Sequence, residues 1–376
     1  MNRRSFLGAV LAAGAWWAEG GLAAAAPRMR VRSRDRIFPW SWSVNLNVRA
    51  MTENSFGYLP YLDLASLLGA GLVRFDIFWS DLEPERGLWL QDRLAWRIGL
   101  VEAARRKGLD LIVNLSGYPR WALDELAGDP VGFYAAWRSY VGRVAAAARN
   151  QVAYYQLDNE FNTILDPLPR SQDARVFREG ARALEEAGAR YPAGRARIVI
   201  NPFYGFSHIG SDWAGALATV VPAAADAIDV IALDDYPGSY DFWNDPEWSR
   251  PLEQLGYYAR RYDKLLAVGE TGCPTYLLGD ARQASWYGRS LTSLAASVKG
   301  LGLTDRFTYV NLFELVDRPP LELWEFWRPT EVTLGLAHRN LVPKAAFYEI
   351  QRLIAAGAAS PPPRRRVPSQ RLSYSP

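Results

Sequence analysis

The chain has 376 residues, of which 49% are apolar, 13% aromatic and 22% charged, a composition too apolar for a disordered chain and too polar for a membrane bundle. Its single cysteine, Cys273, excludes an intramolecular disulfide and a cysteine-based metal cluster, and the distant His208 and His338 do not suggest a zinc site. The net charge of +3 is concentrated at the ends: the first 26 residues carry +1 and the last 20 carry +4, which leaves −2 between them. We therefore expect neither a metal nor nucleic-acid binding.

The first 26 residues predict an export signal. Arg3 and Arg4 precede an apolar run over residues 7–18, and three alanines end the segment before Pro27. The paired arginines followed by Phe-Leu resemble the twin-arginine signal, with an ordinary secretory signal as the alternative. Twelve apolar residues are too few to span a bilayer. We therefore expect a periplasmic or extracellular protein with no stable membrane insertion once the signal is removed.

Short β-rich runs alternate with longer helical patterns between about residues 35 and 356. The predicted strands are 38–45, 72–78, 109–115, 152–157, 197–201, 228–233, 265–269 and 307–313. The predicted helices, one after each strand, are 60–69, 91–107, 131–149, 172–190, 212–220, 252–262, 281–298 and 344–355. Several strands are almost continuous apolar runs, which is typical of strands buried on both faces of a parallel sheet.

Eight strand–helix units over about 320 residues predict an α/β protein, a (β/α)8 TIM barrel with enlarged βα loops, as a single domain over residues 27–357. An open doubly wound sheet is less consistent, because no glycine-rich phosphate turn follows the first strand. Residues 358–376 are rich in proline, serine and arginine and lack apolar periodicity. They predict a disordered tail.

In such a barrel, chemistry takes place where the strands end and their loops begin. The polar and aromatic residues at these ends are Arg74, Asp76, Trp79 and Glu83; Asn114, Tyr118 and Trp121; Asp158, Asn159 and Glu160; Asn201 and His208; Asp234, Asp235 and Tyr236; Glu270; and Phe313 with Glu314. Carboxylates, amides and aromatic rings dominate this set.

The strand-end residues exclude several reactions and favour one. Schiff-base chemistry would need a lysine at a strand end, but Lys264 precedes the seventh strand. The sequence also has no GxSxG motif for a serine nucleophile and no glycine-rich loop for a phosphate. Glu160 and Glu270 remain, at the ends of the fourth and seventh strands. Cleavage of a glycosidic bond needs one carboxylic acid for the leaving oxygen and a second carboxylate at the anomeric carbon. Tryptophans and tyrosines suit sugars, whose C–H faces stack on aromatic rings.

Short motifs at the ends of five strands carry a family resemblance. Leu157-Asp158-Asn159-Glu160 and Val268-Gly269-Glu270-Thr271 resemble the clan of retaining β-glycoside hydrolases with (β/α)8 barrels. Residues 73–79 with 82–87, together with 118–122 and 235–237, are similar to its xylosidase- and iduronidase-like branch, which includes members that cut biofilm exopolysaccharide. The resemblance spans roughly residues 38–320.

The resemblance implies a role for five residues. Glu160 would be the general acid/base and Glu270 the nucleophile, about 5–5.5 Å apart, as retention of the anomeric configuration requires. Asn159 would bind the sugar 2-hydroxyl, and Arg74 and Tyr236 would keep Glu270 ionised. Glu160 would stay protonated near neutral pH through partial burial and the charge of Glu270.

Further candidate sugar contacts are Trp79, Asn114, Tyr118, Trp121, Asp235 and His208. Each of the three aromatic residues could equally be packing, and Arg74 could simply be an ion-pair partner of Asp76. The family often places a tryptophan under the bound sugar at the eighth strand, where this chain has Phe313. Phe313, or Trp324 or Trp327 from the next loop, is expected to substitute for it.

The sequence therefore predicts an exported, cofactor-independent retaining β-glycosidase that acts on a polysaccharide or oligosaccharide, as a monomer. Two alternatives share the same residues. One is a transglycosylase that remodels envelope glycan, and the other is a carbohydrate-binding barrel without turnover.

Overall fold

Eight parallel strands close into a barrel in the computed structural model. The strands are β1 (Ser41–Asn45), β2 (Leu72–Phe78), β3 (Asp110–Ser116), β4 (Tyr154–Leu157), β5 (Arg197–Ile200), β6 (Val230–Asp234), β7 (Leu265–Thr271) and β8 (Phe307–Leu312). Each strand pairs in parallel with the next, and β8 pairs with β1. The predicted (β/α)8 barrel is confirmed. The structure describes residues 37–48, 51, 57–163, 167–205, 212–239, 246–276, 278–319 and 328–358.

Eleven helices accompany the strands within these ranges. They are α1 (Leu59–Leu68), α2 (Trp79–Leu82), α3 (Gln91–Arg106), α4 (Arg120–Gly128), α5 (Pro130–Ala148), α6 (Arg170–Glu186), α7 (Trp213–Ala223), α8 (Ser249–Tyr262), α9 (Gly279–Gly300), α10 (Arg328–Glu331) and α11 (Ala345–Ala358). None of the helices in the described part of the chain is long and apolar enough to cross a membrane. The predicted signal and, beyond residue 358, the predicted tail lie outside the described residues.

The first strand is shorter than predicted. Residues 38–40 precede β1, because Pro39 has no N–H to donate to a sheet ladder. The rings of Phe38, Trp40 and Trp42 pack against one another at centroid distances of 5.3–5.8 Å. All three belong to the large apolar cluster outside the sheet, where Phe38 lies against Gly357 of α11.

The barrel interior is filled below its mouth, so the site rests on a packed floor rather than a pore. The residues of this interior layer are Leu72, Ile112, Val199, Val230, Ala232, Ala267 and Tyr309. A much larger apolar cluster lies between the sheet and the helices. The strands are thus buried on both faces, as their continuous apolar runs predicted.

The hypothesis that Trp79 contacts sugar is corrected by its position. Trp79 begins α2 and is 0% exposed. Its ring stacks on Tyr140 at 5.4 Å and 13°, and it meets Trp121 edge-on at 5.3 Å. Its indole N–H donates to Glu83 Oε2 at 2.9 Å. Trp79 lies on the same side as Val73, Phe75 and Ile77, in the core between sheet and helices, and it anchors the β2 end of the barrel there.

Candidate active site

Glu160 and Glu270 come together at the mouth of the barrel. Glu160 lies three residues after the end of β4, and Glu270 is the penultimate residue of β7. An oxygen of each lies within 4.8 Å of the other and of an oxygen of Asp234, which ends β6. Glu270 and Asp234 are buried and Glu160 is half-buried. The structure thus brings together the two glutamates that the sequence predicted to face each other, with a third carboxyl group beside them.

The backbone that presents Glu160 is unusual. Asp158 and Glu160 have φ values of 67° and 48°, a left-handed conformation that is costly for residues with a Cβ. Asp158 Oδ1 accepts a hydrogen bond from the Asn159 N–H at 2.8 Å, and the Glu160 N–H donates to Asn201 Oδ1 at 3.4 Å. These bonds hold the turn that aims Glu160 into the mouth.

Arg74 lies beneath the glutamate pair, and each nitrogen of its guanidinium has a partner. Its NH2 lies 2.9 Å from Glu270 Oε1 and donates to Asn159 Oδ1 at 2.9 Å. Its other nitrogens donate to Asn45 Oδ1 at 2.8 Å and to Gln156 Oε1 at 3.0 Å. A buried guanidinium with this many partners has no freedom to swing, so it is a fixed positive charge for Glu270.

Both oxygens of Glu270 have a donor. Arg74 contacts Oε1, and the Tyr236 hydroxyl donates to Oε2 at 2.9 Å. Burial raises the pKa of Glu270, while the positive charge of Arg74 and the hydrogen bond from Tyr236 oppose that rise. Charge-assisted hydrogen bonds to both oxygens favour the carboxylate form and fix its orientation.

Glu160 has a different environment. Burial, followed by the negative charge of Glu270, raises the pKa of Glu160 to about 8. Within the described ranges, no arginine or lysine lies within salt-bridge distance of its carboxyl group. At neutral pH, Glu160 therefore holds a proton beside an ionised Glu270. Two neighbouring carboxyl groups with opposite protonation are suited to acid and nucleophile roles.

Asp234 is one of the polar residues noted at the strand ends, but it was not among the predicted sugar contacts, which included Asp235 instead. Its Oδ2 accepts a hydrogen bond from Asn201 Nδ2 at 2.6 Å. Burial, and then the charges of Glu270 and Glu160, raise the pKa of Asp234 well above its ordinary value. Asp234 continues the inward face of Val230 and Ala232, which belong to the interior layer. The strand pairing skips Gly269 on β7, and this irregularity brings Glu270 opposite Asp234.

A cation could in principle face the three carboxyl groups, because their oxygens lie within 4.8 Å of one another. The side chain of Arg74 already brings a positive charge to this place, 2.9 Å from Glu270. The same Arg74 nitrogen lies 4.0 Å from Asp76 Oδ1, so this one guanidinium serves more than one carboxyl group of the site.

Asn114 and Asp235 make contacts that hold other residues of the site. Asn114 is buried, and its Nδ2 donates to Asp76 Oδ1 at 2.8 Å. The Asp235 N–H donates to the Glu270 carbonyl at 3.1 Å. Burial, with a further contribution from the charge of Glu247, raises the pKa of Asp235 well above its usual value. Asn114 thus holds Asp76, and the backbone of Asp235 holds the backbone of Glu270.

Three predicted aromatic contacts are mostly packing. Tyr118 is buried edge-on against Trp79 at 6.3 Å, and half-buried Trp121 donates its indole N–H to the Glu83 carbonyl at 2.9 Å. Phe313 lies edge-on to Tyr236 at 6.3 Å. Phe313 therefore supports the tyrosine that binds Glu270, at the floor of the mouth. The remaining candidates, His208 and Trp324 with Trp327, lie outside the described residues.

Solved structures share this fold at low sequence identity. One is a GH5_18 protein from Streptomyces cattleya in complex with GlcNAc, with 17% identity and a TM-score of 0.64 over 86% of this chain and 81% of that one. Another is the exo-β-1,4-mannosidase Op5Man5 from Opitutaceae bacterium strain TAV5, with 19% identity and a TM-score of 0.63 over 84% and 59%. A third is a GH5_18 variant from Bifidobacterium longum in complex with Manβ1-4GlcNAc, with 17% identity and a TM-score of 0.62 over 86% and 79%.

No protein-family model and no curated protein sequence matches the chain. At these identities, the structural similarity establishes the barrel fold alone. The chemistry has to be argued from the site.

Proposed function

We propose that this protein is a retaining β-glycoside hydrolase. The observation that carries the proposal is the Glu160–Glu270 pair, whose oxygens approach within 4.8 Å across the barrel mouth in opposite electrostatic environments. Carboxyl groups about 5–5.5 Å apart leave no room for a water between the nucleophile and the sugar, so double displacement is expected.

In the first step, a Glu270 oxygen attacks the anomeric carbon while Glu160 gives its proton to the glycosidic oxygen. The bond between the anomeric carbon and that oxygen breaks, and the leaving group departs as an alcohol. In the second step, Glu160, now a carboxylate, removes a proton from water, which attacks the anomeric carbon and releases Glu270. Each step inverts the anomeric centre, so the product retains its configuration.

Asn159 is placed to bind the sugar undergoing reaction. Its Oδ1 accepts from Arg74 at 2.9 Å, from Gln156 at 3.1 Å and from Asn201 at 3.0 Å. With the carbonyl oxygen committed to three donors, the amide Nδ2 is oriented as a donor. We assign this donor to the sugar 2-hydroxyl, where a hydrogen bond that strengthens in the transition state contributes to catalysis.

The structural neighbours support a β-linked substrate. Those named above include an exo-β-1,4-mannosidase and a complex with Manβ1-4GlcNAc. They support the resemblance at the level of the glycosidase clan, whereas none named above belongs by its description to the xylosidase- or iduronidase-like branch. The proposed substrate class is a β-linked oligosaccharide or polysaccharide.

The test is an assay of wild type, Glu270→Ala and Glu160→Ala on aryl β-glycosides and β-linked oligosaccharides. Removing Glu270 should reduce kcat by on the order of 10⁴-fold, and removing Glu160 by about 10²–10⁴-fold on substrates with poor leaving groups. Azide should rescue the two variants with opposite anomeric configurations of the glycosyl azide. Unchanged hydrolysis by Glu270→Ala would overturn the proposal.

Two outcomes would point to the alternative functions. Transfer to an added acceptor sugar in preference to water would indicate a transglycosylase. Sugar binding without turnover by the wild type would indicate a binding barrel. The first product anomer, followed by NMR, tests retention directly.

We also propose that the enzyme acts outside the cytoplasm, on the strength of residues 1–26. Replacing Arg3 and Arg4 by lysine should abolish export through a twin-arginine pathway and leave an ordinary secretory signal working. Fractionation of cells expressing both forms distinguishes these routes. Cytoplasmic retention of the wild type would contradict export altogether.

A further inference from the structure

The inward face of β2 leads from the barrel interior to the rim. Successive side chains of a strand alternate between its faces, so Leu72, Arg74, Asp76 and Phe78 share one face. Leu72 belongs to the interior layer, and Arg74 contacts Glu270. Exposure then rises along the row, from 1% for Arg74 to 39% for Phe78. The outer part of this row is therefore open to a ligand in the mouth.

Asp76 lies close to the nucleophile. Its Oδ1 accepts from Asn114 Nδ2 at 2.8 Å and lies 4.0 Å from the Arg74 nitrogen that touches Glu270. The Asp76 side chain is 25% exposed, and its Oδ2 makes no hydrogen bond to any residue that the structure describes. A partly exposed carboxylate held through one oxygen can accept, through the other, hydrogen bonds from the hydroxyls of a sugar attached to Glu270.

Phe78 is an exposed ring one step further out. Two residues along a strand correspond to about 6.5 Å, roughly the length of one sugar unit. The ring lies against Gly117, where an added Cβ would be only 2.7 Å from Phe78 Cδ1 and where φ is 71°. The glycine lets the ring rest on the backbone that follows β3. Its exposed side is a platform of the kind that stacks on the C–H face of a sugar.

The charges near the pair disfavour an anionic sugar. Arg74 is held by Glu270, and Arg318 is held by Glu314 at 2.8 Å and by Glu331 at 3.8 Å. Among the described residues around the pair, both arginines are thus committed to carboxylates. A substrate carboxylate or sulfate would face Asp76 with no cation available to it, and like charges at close range repel.

We propose that Asp76 and Phe78 form a subsite for a neutral, β-linked sugar chain. Asp76 accepts hydrogen bonds from hydroxyls of the sugar that becomes attached to Glu270, and Phe78 stacks on the next sugar unit. This inference rests on the proposed glycosidase function and adds a substrate class to it: an unsubstituted neutral glycan longer than one unit.

The test compares Asp76→Asn and Phe78→Ala with Tyr348→Ala, which removes an aromatic side chain that is 59% exposed on the outer helix α11. The probes are a 4-nitrophenyl β-monoglycoside, the matching β-glucuronide, and β-linked oligosaccharides of the sugar that the wild type cleaves best. Phe78→Ala should lower kcat/KM on oligosaccharides by about tenfold, the order of one lost stacking contact, and change the monoglycoside less than twofold. Asp76→Asn should lower both, and Tyr348→Ala neither.

An equal effect of Phe78→Ala on both probes, or glucuronide cleavage as fast as that of the neutral glycoside, would overturn the subsite. Oligosaccharide binding by calorimetry, on a Glu160→Gln background that blocks turnover, separates this inference from the proposed function. Binding that weakens tenfold with Phe78→Ala supports the subsite even in a protein that hydrolyses nothing. If Phe78→Ala hydrolyses oligosaccharides as fast as the wild type does, the subsite is rejected and the proposed hydrolase function is unaffected.

Discussion

Asp234 pairs with Glu270 in the register between β6 and β7, and oxygens of the two carboxyl groups lie within 4.8 Å of each other. Two ionised carboxylates this close and this buried would be strongly unfavourable. Arg74 and Tyr236 both contact Glu270, whereas Asp234 accepts from the uncharged Asn201. The negative charge therefore belongs on Glu270, and Asp234 is a neutral, proton-bearing neighbour.

The pH dependence of activity should report Glu160. Because burial and the charge of Glu270 raise the pKa of Glu160 to about 8, the acid form is present below this pH and is lost as the pH rises through it. We expect kcat/KM on a substrate with a poor leaving group to fall above about pH 8. Glu160→Gln should remove this alkaline limb on an activated aryl glycoside. An alkaline limb that persists in Glu160→Gln would contradict the assignment.

Tyr236→Phe should disturb Glu270 without removing it. Loss of the 2.9 Å hydrogen bond leaves burial less opposed, so the pKa of Glu270 rises further and the acidic limb moves to higher pH. A hydrogen bond to a charged group is worth about 1.5–3 kcal/mol, so kcat should fall by about tenfold or more. Tyr155→Phe is the matched control, because this buried hydroxyl has no hydrogen-bond partner among the described residues. A shifted acidic limb in the control as well would point to a general structural effect.

Asp234→Asn should stabilise the protein near neutral pH. Burial raises the pKa of Asp234 in the folded state above its unfolded value of about 4. Its contribution to stability is therefore complete below that pH and is lost as the pH rises. The neutral amide should raise Tm by on the order of a few degrees at pH 7, with the difference shrinking in acid. Asp226→Asn, at a carboxyl 79% exposed, should show no such change. A large loss of stability in Asp234→Asn at every pH would argue for an ionised Asp234.

Gly269→Ala should be destabilising because of Asp234. A Cβ at residue 269 would overlap Asp234 Oδ1 and come within 3.2 Å of Ala232 Cβ. Overpacking of this kind costs about 1–3 kcal/mol. Denaturant unfolding should show that Gly269→Ala lowers the free energy of unfolding. The decrease should be smaller when it is measured on an Asp234→Ala background. Gly142→Ala on α5, where a Cβ meets nothing within 4 Å, is the control. If the effects of Gly269→Ala and Asp234→Ala on the free energy of unfolding are strictly additive, the clash with Asp234 is not the cause of the destabilisation.

Much of this barrel is readable from its sequence, because strands buried on both faces leave continuous apolar runs and the helices between them are long. All eight predicted strands are present, although β1 begins three residues late, after Pro39. The short helices α2, α4 and α10 were not predicted, since they are too short to show a clear period.

The glutamate pair was predictable because strand ends of a closed barrel converge on one mouth. The direction of single side chains was not. Asp235 was a candidate sugar contact and Asp234 was not, although Asp234 shares the inward face of Val230 and Ala232. The irregularity that turns Glu270 toward Asp234 lies on β7 and leaves no mark in the sequence pattern. Trp79 was a candidate sugar contact, but it lies on the same side as Val73, Phe75 and Ile77, in the core between sheet and helices. Phe78, the last residue of β2, to which no role was given, is the exposed ring.

Arg74 joins four strands at a single point, through Asn45 on β1, Gln156 on β4 and Glu270 on β7. The nucleophile is thus fastened by the same contacts that brace the barrel from inside. A substitution that weakens the contacts of Arg74 would therefore disturb both the position of the nucleophile and the packing of the barrel. New substrate preferences would have to arise at the outer edge of the mouth, where residues such as Phe78 can be exchanged without disturbing that shared anchor.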